Sequence, residues 1–338
     1  MKEVASISVT PARFPVLGVT GPDTAIVGES LRCLASIANA AGLRVVVVGH
    51  DRQIAQLPDM YRCSVPENAV SGEPEQFCPT HLGQFFDLVL VAGMLRQGTS
   101  LWIAPIHEEL PKLRGGQILI RSDGQQVGAM SLGEWLQEWL ECQCRENPVW
   151  ACILIGGQSS RMGEAKHLLP ALNRNDATWL ENTVAIVAPL VDQVILSGRG
   201  QVPDSLGALP RLVDTPGLAG PMAGILAAFR YNPGVHWLVL ACDLPCLQSE
   251  AIRWLLARKR AGVRAILPIL PGRDGVEPLF ALYSPQCGPI LEDLAAKGQR
   301  RLSRLNEYQA VETPSPPSRL HRSWCNVNTP VELRALYE

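Results

Sequence analysis

The stretch that decides the fold is Ala151-Cys152-Ile153-Leu154-Ile155-Gly156-Gly157-Gln158-Ser159-Ser160-Arg161-Met162-Gly163-Glu164-Ala165-Lys166. Five apolar residues run into a glycine pair, and a small, polar loop with two fixed cations follows. A short apolar run bounded by turn residues reads as a buried strand. Glycines let backbone N–H groups approach phosphate oxygens closely, and Arg161 and Lys166 add positive charge suited to a triphosphate. Gly-Gly alone is also what an ordinary strand-to-helix turn contains. The complete string is far more specific than the pair.

Working outward, the same layout repeats. Apolar runs at 193–198, 236–243 and 264–270 end at Gly or Asp or near Pro, with helical patterns expected after each. Upstream lies another series, with runs at 16–21, 43–50, 86–93 and 117–123 and helical patterns at 28–41 and 131–144. Alternation of this kind predicts parallel α/β layers. Arg145-Glu146-Asn147-Pro148 separates the two series, and a proline biases its predecessor away from helix. The expected organisation is therefore two three-layer α/β domains, residues 1–147 and 148–338. Ligands of open α/β sheets bind at the carboxyl ends of the strands, so the two glycine-bearing loops after the first strand of each series are the candidate sites.

Composition narrows the function. The chain has 338 residues, enough for about two domains. It is 47% hydrophobic and carries 30 Lys+Arg against 32 Asp+Glu, a net charge of -2, so neither a disordered chain nor a basic nucleic-acid binder is indicated. No apolar run reaches the ~18 residues of a membrane span. Met1-Lys2-Glu3-Val4 lacks a signal-peptide layout, and ten scattered cysteines suit reduced thiols, so a cytoplasmic protein is expected. Cys142-Gln143-Cys144 has no second pair at zinc spacing. Trp135 and Trp139 share one helix face and read as core or interface.

Further residues carry chemistry of their own. Asp243 ends an apolar strand, where a carboxylate suits a hard cation such as Mg²⁺; a turn or cap aspartate reads equally well. Asp214, before Thr215-Pro216-Gly217, reads as a turn former or as a hydrogen-bond acceptor. Gly220-Pro221-Met222-Ala223-Gly224 opens an apolar helix and gives either tight packing or room for a flat base. Asn326-Val327-Asn328-Thr329-Pro330, after an expected Trp-Cys strand, has the form of a helix start. Arg300 and Arg301 form either a solvated basic face or an anion contact.

Taken in order, six motifs resemble the molybdenum cofactor guanylyltransferases (MobA-type), nucleotidyltransferases of Rossmann-like fold. They are the 154–170 loop, Val213-Asp214, Gly220–Ile225 in the form just given, Leu240-Ala241-Cys242-Asp243-Leu244-Pro245, Glu277-Pro278-Leu279-Phe280-Ala281-Leu282-Tyr283 with Gly298-Gln299-Arg300-Arg301, and the 326–330 run. The resemblance covers about residues 150–338. It implies that Leu154, Ile155, Gly156, Gly157, Lys166, Asp214 and Asp243 bind GTP, that Asp243 binds Mg²⁺, and that Lys166, Asp243 and Arg161 serve catalysis. Asn328 and Asn326, with Arg300 and Arg301, would meet the anionic pterin. The implied reaction is guanylyl transfer from GTP to Mo-molybdopterin, giving the guanine dinucleotide cofactor and pyrophosphate. Molybdoenzymes or their chaperones are implied partners; no nucleic acid or membrane is. The alternatives are a molybdopterin cytidylyltransferase, whose loop usually reads Ala-Gly at 156–157, and a non-catalytic cofactor carrier. One departure stands out: the family often has Asp before the loop lysine, where this chain has Ala165 after Glu164.

The first domain resembles a degenerate MobB-like P-loop domain in outline. Gly21-Pro22-Asp23-Thr24-Ala25-Ile26-Val27-Gly28-Glu29-Ser30 departs from G-x-x-x-x-G-K-[ST]. Six residues separate the glycines, and Glu29 stands at the lysine position. Ala92 replaces the acid of the second motif, while Asp87 reads as structural. That resemblance implies a domain without GTP hydrolysis, used for docking or scaffolding.

Overall fold

The structure is a computed structural model, and it describes residues 15–21, 23–49, 61–64, 79–93, 95, 99–104, 117–121, 126–127, 130–155, 165–172, 174–327 and 329–337. The chain forms two compact units, Met1–Asn147 and Pro148–Glu338. Both are α/β.

The first unit holds β1 (Val16–Thr20), α1 (Thr24–Ala40), β2 (Val45–Gly49), β3 (Tyr61–Ser64), β4 (Leu88–Ala92), β5 (Thr99–Ala104) and β6 (Gln117–Arg121). A short hairpin, β7 (Gln126–Val127) and β8 (Met130–Ser131), leads into α2 (Leu132–Glu146). The six main strands form a parallel sheet in the order β3-β2-β4-β1-β5-β6. Ser131 caps α2 in a reciprocal capping box with Glu134, which satisfies two N–H groups of the first turn. Trp135 and Trp139 stack at 6.0 Å, and Trp139 donates to Thr99 Oγ1.

The glycine loop of this unit differs from expectation. α1 starts at Thr24 with Asp23 as its cap, so Gly28 and Glu29 lie inside the helix. Asp23 accepts from Ala25 N at 2.8 Å and Ile26 N at 3.3 Å. A carboxylate of the chain itself thus occupies the helix N-terminus, the place where a phosphate-binding loop presents N–H groups to its ligand. Gly21 is needed for close approach: a Cβ there would meet the Ile103 carbonyl oxygen at 2.1 Å. Asp87 is buried and accepts from Arg44 N at 2.8 Å, a structural role.

The second unit begins with β9 (Val149–Leu154). A hairpin of β10 (Pro170–Ala171) and β11 (Arg174–Thr178) precedes α3 (Trp179–Val187). Then come β12 (Gln193–Ser197), β13 (Arg211–Leu212), α4 (Pro221–Tyr231), β14 (His236–Ala241) and α5 (Ser249–Leu256). The last elements are β15 (Ala265–Ile266), β16 (Phe280–Tyr283), α6 (Gly288–Ala296), β17 (Val311–Glu312) and α7 (Pro330–Tyr337). Seven strands form one sheet in the order β13-β12-β9-β14-β16-β15-β17.

Every residue of β9 is buried. Alternate side chains serve opposite faces, as a central strand requires: Ala151 and Ile153 pack with α3 and α5 residues, while Trp150 and Cys152 pack with α4 and α6 residues. The sheet is mixed rather than parallel throughout. The 264–270 run forms only the two-residue β15, and instead of a helix it is followed by β16, antiparallel to both β14 and β15. This reversal puts the start of β16 beside the carboxyl end of β14, with Phe280 opposite Leu240. The expected Trp-Cys strand is a 3-10 turn, Ser318–Trp324.

Candidate active site

The carboxyl ends of β9, β12 and β14, the residues just after β13, and the start of β16 all meet at one edge of the sheet. A cavity of about 500 Å³ opens there, lined by Leu154, Ser197, Asp214, Gly220, Gly224, Asp243, Glu277, Pro278, Leu279, Phe280, Trp324 and Asn326, among others. Residues far apart in the chain become neighbours because parallel strands end together.

Asp243 sits at the centre. It follows β14 after a backbone bond from Cys242 N to Leu154 O at 3.2 Å. Its own carbonyl accepts from Val327 N at 3.2 Å, so the asparagine run is tied to the same backbone. The Lys166 ammonium lies 3.4 Å from Asp243 Oδ2, with the two side chains 15% and 20% exposed. Beside this pair, burial and the Asp243 charge push the Cys242 thiol up to about 12, so it stays protonated and unreactive at neutral pH.

Lys166 opens a 3-10 turn whose next residue is buried. His167 Nε2 bonds the Gln201 carbonyl at 2.7 Å, and burial lowers its pKa, so the ring is neutral and donates. A Cβ at Gly200 would stand 2.7 Å from the His167 ring and 2.3 Å from the Ile155 carbonyl oxygen, so only glycine fits between them. This packing fixes where Lys166 leaves the backbone.

On the other side of the sheet order, Gly220 adopts φ 75°, a region glycine enters without strain, and α4 begins at Pro221. Gly224 packs closely: a Cβ would lie 2.8 Å from Leu154 Cδ2, 2.9 Å from Ser197 Oγ and 3.5 Å from Asp214 Oδ1. Tight helix–strand packing and a lining of the cavity are therefore the same feature.

Trp324 forms the floor near β16. It is fully buried, stacks on Phe280 at 4.4 Å, meets Trp254 edge-on at 5.8 Å and donates to the Phe280 carbonyl. Aromatic pairs of this kind add about 0.5–1.5 kcal/mol beyond area burial. Through Trp324 the strap carrying Asn326 is anchored to the core.

The structure thus brings together Leu154, Lys166, Asp214, Asp243 and Asn326. Ile155 is buried in the wall behind them. Gly156, Gly157, Arg161 and Asn328 lie outside the described residues. Arg300 and Arg301 are exposed between α6 and the 3-10 turn Leu302–Glu307, and neither lines the cavity. Sequence reasoning gave no role to Glu277, although its motif was visible, and passed over His167, Arg273, Ser197 and the anchoring part of Trp324.

Among the described residues no group of three or more His, Cys, Asp or Glu could hold a metal. An all-protein cage is thus absent there. A single open carboxylate facing a cavity still fits Mg²⁺, which keeps several waters and takes other ligands from substrate phosphates.

Residues 151–312 match the MobA-like NTP transferase domain, which makes the chain an enzyme of the nucleotidyltransferase class. A molybdenum cofactor guanylyltransferase of Rhodobacter capsulatus is 33% identical over 191 residues, 54% of this chain and 90% of that protein. The chain belongs to the molybdenum cofactor guanylyltransferase family. A "molybdenum cofactor biosynthesis bifunctional protein" of Synechocystis is 33% identical over 142 residues, 41% of this chain and 40% of that one. Among solved structures, molybdopterin-guanine dinucleotide biosynthesis protein A from Archaeoglobus fulgidus is 24% identical with a TM-score of 0.46, covering 56% of this chain and 96% of that one.

Proposed function

We propose that the protein transfers the guanylyl group of GTP to molybdenum-loaded molybdopterin and releases pyrophosphate. The observation that carries this reading is Asp243, which lines the same cavity as Asp214 and Asn326 and pairs with the Lys166 ammonium at 3.4 Å. Asp243 would hold Mg²⁺, which when bound neutralises phosphate charge. Leu154 and the loop after it would bind the triphosphate, with Arg161 toward the phosphates. Lys166 would place its ammonium where negative charge builds on the transferred phosphorus. Asp214 would accept from the base or the ribose. Asn326 and Asn328 would meet the pterin, with Arg300 and Arg301 at its approach. The attacking pterin phosphate is already anionic at neutral pH, so alignment matters more than proton removal.

For the first domain we propose a docking or scaffolding role within a cytoplasmic enzyme that hands its product to molybdoenzymes or their chaperones. The start of α1 at Thr24 and the Asp23 carboxylate on its N–H groups support a helix N-terminus that takes no nucleotide phosphate. A MobB-like ancestry is compatible with its parallel sheet.

The test is nucleotide choice. Purified protein with Mg²⁺ and molybdenum-loaded pterin receives GTP or CTP in parallel, and pyrophosphate is measured. Release with GTP alone is expected. Release with CTP would move the protein to the cytidylyl class, and pterin binding without turnover would make it a carrier.

A further inference from the structure

Glu277 lines the cavity on the side opposite Asp214, with Asp243 between them in the sheet order. Its position is heavily constrained. The 271–277 turn is pinned by the Ile269–Val276 bridge, and Glu277 N donates to the Pro268 carbonyl at 2.8 Å. Arg273 Nη1 donates to Glu277 Oε1 at 2.8 Å and also to the Trp324 carbonyl at 3.1 Å. One guanidinium therefore fixes the carboxylate and the strap that carries Asn326. The Glu277 side chain is 26% exposed, open on the cavity side.

An ionised carboxylate offers acceptors only. With Oε1 partly used by Arg273, Oε2 and one further lone pair remain for a ligand. The matching partner is an edge with two adjacent N–H donors. Around it stand the half-buried Pro278 and Leu279, backed by the buried Phe280 and Trp324, an apolar wall suited to a flat ring. Asn326 on the same side supplies the donor that a neighbouring ring carbonyl needs.

We propose that Glu277 is a specificity-determining residue that reads the 2-amino-4-oxo edge of the pterin, accepting from its N3–H and 2-amino group, with Arg273 as its positioning residue. This rests on the reading of the reaction given above, which puts the nucleotide on the Asp214 side of Asp243. The pterin then lies on the β16 side, with its phosphate directed to Asp243 and the nucleotide. Guanine carries the same donor edge, so position in the cavity distinguishes the two substrates here.

The test uses the full chain, its own fluorescent probes and the variant E277Q. Glutamine keeps the shape and the acceptor for Arg273 but turns an N–H₂ toward the ligand. The probes are pterin and lumazine, which differ by a 2-amino against a 2-oxo group. They are titrated with Mg²⁺ and a non-hydrolysable GTP analogue whose own affinity is measured first. The wild type should prefer pterin by about tenfold or more, since a site built to accept hydrogen bonds rejects a ligand lacking the donor. E277Q should lose at least about tenfold in pterin affinity and turn the preference toward lumazine, with the GTP analogue bound within about twofold of wild type. An unchanged pterin preference in E277Q overturns the proposal. So does an equal loss for both probes, which means a structural role, and a loss confined to the GTP analogue, which means that Glu277 reads guanine. A wild type that does not bind the analogue refutes the guanylyl reading, while the pterin–lumazine reversal still decides the role of Glu277.

Discussion

Replacing Lys166 by Met should do two opposite things. At 3.4 Å and an effective dielectric of ~20, the ammonium and the Asp243 carboxylate attract by about 5 kcal/mol before desolvation is subtracted. Methionine removes the charge and keeps an unbranched chain of similar reach. The loss of a cation from the developing phosphorane charge should lower kcat by about 10²–10³-fold, the range found when one preorganised electrostatic contact is removed. The metal should respond in the other direction. In the wild type a divalent cation at Asp243 must share or displace the ammonium. Without it, the half-saturating Mg²⁺ concentration should fall, at tenfold for each 1.36 kcal/mol of repulsion removed. The assay is pyrophosphate release at saturating GTP and pterin, titrated with Mg²⁺, with K166M beside D243N. D243N should lose metal activation altogether. A K166M kcat within tenfold of wild type, or a Mg²⁺ requirement that rises, refutes the idea that this lysine neutralises both the acid and the reacting phosphates.

Two further expectations follow from packing and protonation. G200A forces a methyl to 2.3 Å from the Ile155 carbonyl oxygen and 2.7 Å from His167, so it should cost about 1–3 kcal/mol of stability and raise the KM for GTP, whereas G133A, meeting only Ile37 at 3.6 Å, should be tolerated; thermal melts and GTP kinetics of the two variants check this, and equal behaviour counts against it. His236 is buried at the start of β14, and burial with the nearby Lys259 charge lowers its pKa to about 3. The unfolded chain binds that proton near pH 6.5 and the folded one does not, so stability is complete above pH 6.5 and declines below it by up to about 1.4 kcal/mol per pH unit. His167, also lowered, acts in the same direction. The urea midpoint should drop between pH 7 and pH 5, and less steeply in H236Q; a flat midpoint in the wild type contradicts the assignment.

How much of this was legible in the sequence depends on which physical signal each residue carries. Strand ends were readable because an apolar run stops at a turn former: β12, β14 and the place of Asp243 follow from that alone. Asp214 lines the cavity because parallel strands deliver their following residues to one edge, whereas Asn326 lines it because the strap after Trp324 is tied through Val327 N to the Asp243 carbonyl. The reversal at β16 was not legible. Its four residues, Phe280 to Tyr283, are apolar on both faces and carry no mark of direction, so an α/β rhythm with a helix after every strand extended one step too far. That same reversal is why Glu277 escaped: a residue before a strand is remote from the carboxyl edge in a parallel sheet and adjacent to it in an antiparallel pair.

The first domain shows the converse error, and its cause is in the residues. Gly21 to Gly28 was measured as a loop because both ends are glycine. Yet Asp23 followed by Thr24-Ala25-Ile26-Val27 is an N-cap signal before an apolar helical run, and the helix does begin there. Glycine inside a helix costs only about 0.5–1 kcal/mol relative to alanine, too little to hold off a capped amphipathic segment, so Gly28 is absorbed into α1. The spacing that looked like a stretched phosphate loop is a cap plus one helical turn. Capping also decides the chemistry, because the N–H groups that a phosphate would need already answer to Asp23, two residues after Gly21. In the second domain no such carboxylate is read before Lys166, where Ala165 stands. The acid that the family often has there is replaced by Ala165, and the Lys166 ammonium instead stands 3.4 Å from Asp243 Oδ2.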